Sequence, residues 1–227
     1  MASKNKNTKW RDLAAVLGIY LLAYAVGILA SLAVKNTMLR CFVFDVSATV
    51  VTFLFSVLLR NSSVYDPYWS LTPFVISVAL FIRVRALSVW HILFLAVFAL
   101  WSWRLTGNWM TNFTDFSYED WRYRKFRDES SAFTWPIINF CGIHMMPTLW
   151  VFAGMLPLFA MIDVPLGPWS LFGMAVILFF YSAFCTGKVL LLSCKIRFLF
   201  VGIAAVFLGA LLVAAVLPAK TLEARLA

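Results

Sequence analysis

The chain has 227 residues, 63% of them hydrophobic and only 13% charged, with a formal net charge of +9 and a mean hydropathy of +0.89. A soluble domain of this size carries about 25% charged residues, and here the apolar residues come in long runs rather than in alternation, which excludes a soluble globular fold. The basic excess is no signal for nucleic acid, because the Lys and Arg residues lie between the runs, where membrane orientation and anionic lipid account for them.

A helix needs roughly 20 apolar residues to cross hydrocarbon. The runs predict an all-α polytopic bundle of about seven spans, near 13–34, 42–59, 70–82, 86–103, 137–161, 167–187 and 197–217, forming one integral-membrane domain over 1–227. The first run follows a basic start (Lys4, Lys6, Lys9, Arg11). Its apolar part exceeds the roughly 7–15 residues of a cleavable signal, so it reads as a retained anchor. The run 70–82 is short for a span. With all seven spans and the N-terminus inside, 13 Lys/Arg fall inside and six outside; without 70–82 the count is nine against ten. The positive-inside rule therefore favours seven spans, a cytoplasmic N-terminus and a cytoplasmic 104–136.

Between the second and third spans stands NSSVYDPYWSLTP, 61–73. Pro67 pushes Asp66 into an extended or turn conformation. One reading is an interfacial turn, with Asn61 or Ser62 as a cap and Tyr65, Tyr68 and Trp69 at the headgroups. The other is a Tyr65–Asp66 pair facing a cavity, able to donate to a substrate carbonyl. At the end of the fourth span, WSWRLTGNW places Arg104 and Asn108 four apart on one helix face. That pair suits a phosphate or carboxylate, and Arg104 equally suits snorkelling to headgroups.

YEDWRYRKFR, 118–127, has six charged residues and four aromatics. As one helix it would line up Tyr118, Arg122 and Lys125, and would pair Glu119 with Arg122 or Tyr123 and Asp120 with Arg124. An interfacial helix has this composition. The Glu119-Asp120 pair also suits ribose hydroxyls, with Arg groups for a 2′-phosphate. Deeper in the runs, Asp45, Asn139 and His144 would be costly facing lipid, and either a cavity or helix–helix hydrogen bonds explain them. Asn139 and His144, five apart, share a face only loosely. Cys41, Cys141, Cys185 and Cys194 show no paired spacing and read as buried free thiols. With two histidines in the chain, a His-based metal site is not expected.

Taken together, NSSVYDPYWS, RLTGNW, EDWRYRKFR and FCGIHMMPTLWVFAGMLPLF (140–159) resemble the bacterial domain-of-unknown-function branch of the steroid 5-alpha-reductase superfamily, over roughly residues 40–160. The resemblance implies an integral-membrane reductase that uses NADPH to reduce the C=C bond of a lipophilic enone. It further implies Tyr65 and Asp66 near the substrate and Arg104, Asn108, Asp120, Arg122 and Tyr123 around the cofactor. It leans toward a bacterial inner membrane. Residues 161–227 depart from the pattern: the family's Arg-His-Pro-Asn-Tyr motif is absent, and the last span is almost purely apolar. Two alternatives stay open, a non-catalytic membrane protein and a methyltransferase of the isoprenylcysteine carboxyl type using S-adenosylmethionine.

Overall fold

A computed structural model describes residues 6–82, 88–161, 171–172 and 174–175. All regular structure among them is helical. The elements are α1 (Lys6–Ser31), α2 (Thr37–Leu58), a 3-10 turn (Ser62–Tyr65), α3 (Tyr68–Phe81), α4 (Val89–Asn112), α5 (Trp121–Asp128), α6 (Thr134–Ile137), a π-helix (Ile138–Met145) and α7 (Met146–Met161). Among the described residues, four stretches are long and apolar enough to cross a membrane: Asn7–Ser31, Thr37–Leu58, Val89–Asn112 and Thr134–Leu156. They correspond to the expected spans 13–34, 42–59, 86–103 and 137–161. The short run 70–82 is helical, but α3 has 14 residues and so reaches about 21 Å, against a hydrocarbon core of about 30 Å. The expected spans 167–187 and 197–217 lie outside the described residues, apart from four helical positions.

The residues group into two compact units, 1–72 with 103–149, and 73–102 with 150–227. In the first, α1 buries Val16, Ile19, Tyr20, Ala23 and Gly27, the i, i+3, i+4 pattern of one face, while Leu17, Leu21, Leu22 and Leu29 are exposed. Gly27 lets α1 approach α2 closely: a Cβ there would stand 2.7 Å from the Phe44 carbonyl oxygen. Small residues at such crossings are how membrane helices pack, since lipid supplies no hydrophobic drive between them. The inward stripe of α2 is mostly polar (Asp45, Ala48, Thr49, Thr52, Ser56), and its exposed residues are apolar, among them Leu54, Val57 and Leu58. That inversion of a soluble helix fits a helix solvated by lipid.

In the second unit an aromatic ladder runs through Phe74, Phe98, Phe94 and Phe81 to His91, with neighbouring centroids 5.2–6.3 Å apart. His91 Nδ1 accepts from the Ser88 backbone N–H at 3.1 Å, closing the start of α4.

The end of α2 sets the direction of the chain into the 3-10 turn. Asn61 N–H donates to the Ser56 carbonyl at 2.9 Å and Arg60 N–H to that of Val57 at 3.1 Å. These are the two bonds of a Schellman cap. Arg60 occupies the left-handed position (φ 51°) where glycine is usual, and the reversal delivers Asn61 to the turn beyond.

Candidate functional site

The turn 61–66 is held from three directions. Asn61 caps it, its Oδ1 accepting from Ser63 N–H at 2.9 Å. Its Nδ2 donates to the carbonyls of Phe116 and Tyr118, at 2.9 and 2.7 Å. Ser62 N–H donates to Glu119 Oε1 at 2.8 Å, and the same oxygen accepts from Arg127 Nη2 at 2.7 Å. Asp120 N–H donates to Ser63 Oγ at 2.8 Å. A short polar loop is thereby stitched to the segment before α5, with the Ser62 and Ser63 N–H groups satisfied, as burial demands.

Tyr65 points among the helices. It is 1% exposed, and its hydroxyl lies 2.6 Å from Thr148 Oγ1, which is also 2.8 Å from Thr49 Oγ1. Thr148 gives its own proton to the His144 carbonyl at 3.0 Å, so Tyr65 and Thr49 are the donors to it. Burial lifts the Tyr65 pKa well above that of a free phenol, which keeps the group a neutral hydrogen-bond donor. The His144 ring packs on Tyr65 at 4.7 Å and on Phe53 at 5.3 Å. Its Nδ1 is 2.9 Å from the Asn139 carbonyl. A carbonyl only accepts, so Nδ1 carries the proton and Nε2 of the neutral ring holds the lone pair. That Nε2 is buried without a hydrogen-bond partner among the described residues.

The five-residue spacing of Asn139 and His144, loose on an α-helix, fits the π-helix, whose bonds run from i to i+5. Pro147, just beyond, has no N–H to give and crowds the carbonyl of Ile143, which favours a widened turn there. Ser62 Oγ donates to Asn139 Oδ1 at 2.9 Å, and Tyr68 Oη donates to the Asp45 carbonyl and carboxylate at 2.9 and 3.0 Å. Hydrogen bonds between elements therefore account for Asn139 and Asp45, two of the three deep polar residues.

Asp66 turns the other way. Its Oδ1 accepts from Tyr123 Oη at 2.6 Å. The residue as a whole is half-buried. Burial pushes its pKa up to about 7, against the lowering effects of the Tyr123 hydrogen bond and the Arg122 charge. Burial and the Asp66 charge together raise Tyr123. Arg122 holds Asp120 with two bonds, Nε to Oδ1 at 2.8 Å and Nη2 to Oδ2 at 3.0 Å, and this contact first of all raises its pKa.

Tyr65, Asp66, Asp120, Arg122 and Tyr123 are thus brought to one turn and its partner, with Tyr65 on the opposite side from the rest. Arg104 and Asn108 sit one helical turn apart on α4, half-buried and exposed, and none of the bonds above uses either side chain. The pairing expected for 118–127 differs: Asp120 pairs with Arg122, and Glu119 with Arg127. The reason is local. Asp120 is the N-cap of α5, accepting from Arg122 N–H at 2.9 Å, so the helix starts at Trp121 and Tyr118, Glu119 and Asp120 lie outside it. Thr148 is a site residue that sequence reasoning does not single out, since its partners are 83 and 99 positions away. Of the expected buried thiols, Cys141 is exposed and Cys41 half-buried, while Cys185 and Cys194 lie outside the described residues.

The family model described as "Protein of unknown function (DUF1295)" matches residues 52–188. The chain belongs to this family. The DUF1295 match contains the 61–66 turn, Arg104, Asn108, α5 and the π-helix, and it runs on past residue 160. No curated protein and no solved structure matches the chain.

Proposed function

We propose that the protein is a membrane-embedded, NADPH-dependent reductase of the C=C bond of a lipophilic enone, of the steroid 5-alpha-reductase superfamily, with seven spans and a cytoplasmic N-terminus in a bacterial inner membrane. The observation that carries the reading is Tyr65: a neutral phenol buried among lipid-solvated helices, with a hydroxyl held by Thr148 and an imidazole against its ring. In a low-dielectric setting such a donor strengthens any developing oxyanion it faces.

The residues around α5 fit an anionic cofactor. Arg122 has a side chain 29% exposed, and its grip on Asp120 uses two of the five guanidinium N–H groups. When bound, NADPH would supply hydride equivalents. Arg122 would bind phosphate, and Asp120 would fix the direction of that guanidinium. Asp66 would position the Tyr123 ring through its hydroxyl. Tyr65 would exchange its bond to Thr148 for one to the substrate carbonyl, and Thr49 would remain as donor to Thr148.

Equilibrium binding of NADPH to the purified protein tests this, with NADH and S-adenosylmethionine as controls. Saturable binding of NADPH alone is expected. Arg122→Ala should weaken it by about 1.5–3 kcal/mol, the range for hydrogen bonds to charged groups. Binding of S-adenosylmethionine alone would favour the methyltransferase reading. Binding of none would favour a non-catalytic membrane protein, the reading supported by the missing Arg-His-Pro-Asn-Tyr motif.

A further inference from the structure

The inward side of α5 carries its bonds to the rest of the chain: Arg122 on Asp120, Tyr123 on Asp66, and Arg127 on Glu119 and over the Trp135 ring at 4.9 Å. Its other side faces out. Trp121, Arg124, Lys125 and Asp128 follow i, i+3, i+4, i+7 and are all exposed. No residue of α5 is fully buried. The helix therefore presents an indole and two cations outward.

Its position is fixed by the chain. Eight residues (113–120) connect it to Asn112 and five (129–133) to Thr134, each the end of a candidate span. The 61–66 turn to which it is pinned begins three residues after Leu58, the end of another. The eight-residue connection would reach at most about 28 Å if fully extended, and it is folded back by the Tyr118 N–H bond to the Asp115 carbonyl. Phe133, 81% exposed, precedes Thr134 at the membrane boundary. A helix tied to three span ends lies in the headgroup layer, where tryptophan partitions and basic residues meet lipid phosphate.

We infer that the outward face of α5 is a binding site for anionic phospholipid, with Arg124 and Lys125 taking the headgroup phosphate and Trp121 lying against the upper acyl chain. Asp128 ends the face, and Glu129 approaches Lys125 at 3.7 Å. Both partners of that ion pair are more than half exposed, so solvent screens it, and Arg124 has the more open approach.

Native mass spectrometry of the purified full chain, titrated with phosphatidylglycerol or with phosphatidylcholine of the same acyl chains, tests the site. Phosphatidylglycerol should bind about tenfold more tightly, two surface cations being worth at least that much. Arg124→Ala combined with Lys125→Ala should abolish the preference. Phosphatidylcholine binding should stay unchanged, which reports an intact fold. Equal affinity of the wild type for both lipids overturns the inference, as does a preference that survives the double substitution. Displacement of the bound lipid by millimolar inorganic phosphate would also overturn it, since the site would then take a free anion rather than a membrane surface. None of these outcomes depends on NADPH binding.

Discussion

Two adjacent residues, Tyr65 and Asp66, open onto two differently built regions. Around the Tyr65 hydroxyl the polar groups are neutral: hydroxyls of Tyr65, Thr49 and Thr148, an imidazole and a carboxamide, closed on backbone carbonyls, with the acid Asp45, held by Tyr68, nearby. On the Asp66 side they are ionisable: Asp66, and Asp120 and Glu119 against Arg122 and Arg127, partly open to solvent. Lipid explains the division. An ion inside an apolar bundle carries a desolvation penalty that a hydroxyl escapes, so the charges collect where the chain leaves the membrane. The hydroxyl cluster should therefore ignore salt, and the second region should respond to both salt and pH.

The largest effect is expected at Glu119. It is 6% exposed and binds both Ser62 N–H and Arg127, so Glu119→Ala leaves a buried donor and a half-buried cation unmatched. A loss of about 3 kcal/mol is expected in the unfolding free energy measured in detergent micelles, the lower end for breaking a buried pair. Glu119→Gln keeps an acceptor for Ser62 and should lose less. Equal losses for the two would mean that the charge, and not the backbone bond, sets the stability of this region.

Next comes Thr148→Val, which keeps the shape but strips the acceptor from Tyr65 and Thr49. About 2 kcal/mol should be lost, the cost of unpaired buried hydroxyls. The loss should be the same from low to high salt. A salt-dependent loss would show that the neutral region is coupled to the charged one through the turn, and would break the contrast.

The two regions are unequally legible in the sequence. Apolar run length marks α1, α2, α4 and the 134–156 helix, because crossing lipid imposes a length that composition alone reveals. Residues 61–66 and 118–127 also stand out, since aromatics and charges are conspicuous in such a chain. Their partners do not. Asp120 reads as a helical residue in a charged decamer, but as an N-cap it sits outside the helix, and that shift sends Glu119 to Arg127. Thr148 is an ordinary residue in an apolar run, and only folding brings it to Tyr65. The π-helix changes the residue spacing that face assignments rest on, so Asn139 and His144 meet where α-helical periodicity keeps them apart.

The smallest expected effect is the one that reads the charged region alone. The Asp66 pKa rises from an ordinary carboxyl value to about 7 in the folded chain, so the folded state holds a proton that the unfolded state releases near pH 4. Between these values the native state binds more protons, and stability must fall as pH rises, levelling off above about 7. The half-exposed setting, with Arg122 and Asp120 nearby, limits the change to about 1 kcal/mol after screening. Melting temperatures of the wild type should decline from pH 5 to pH 7.5. Asp66→Asn keeps an acceptor for the Tyr123 hydroxyl and has nothing to titrate, so its profile should be flatter, while that of Thr148→Val should parallel the wild type. A wild-type profile that rises over this interval would mean that Asp66 is stabilised as a carboxylate by Tyr123 and Arg122, and that this side of the turn is an anchored ion rather than a carboxyl that ionises close to neutrality.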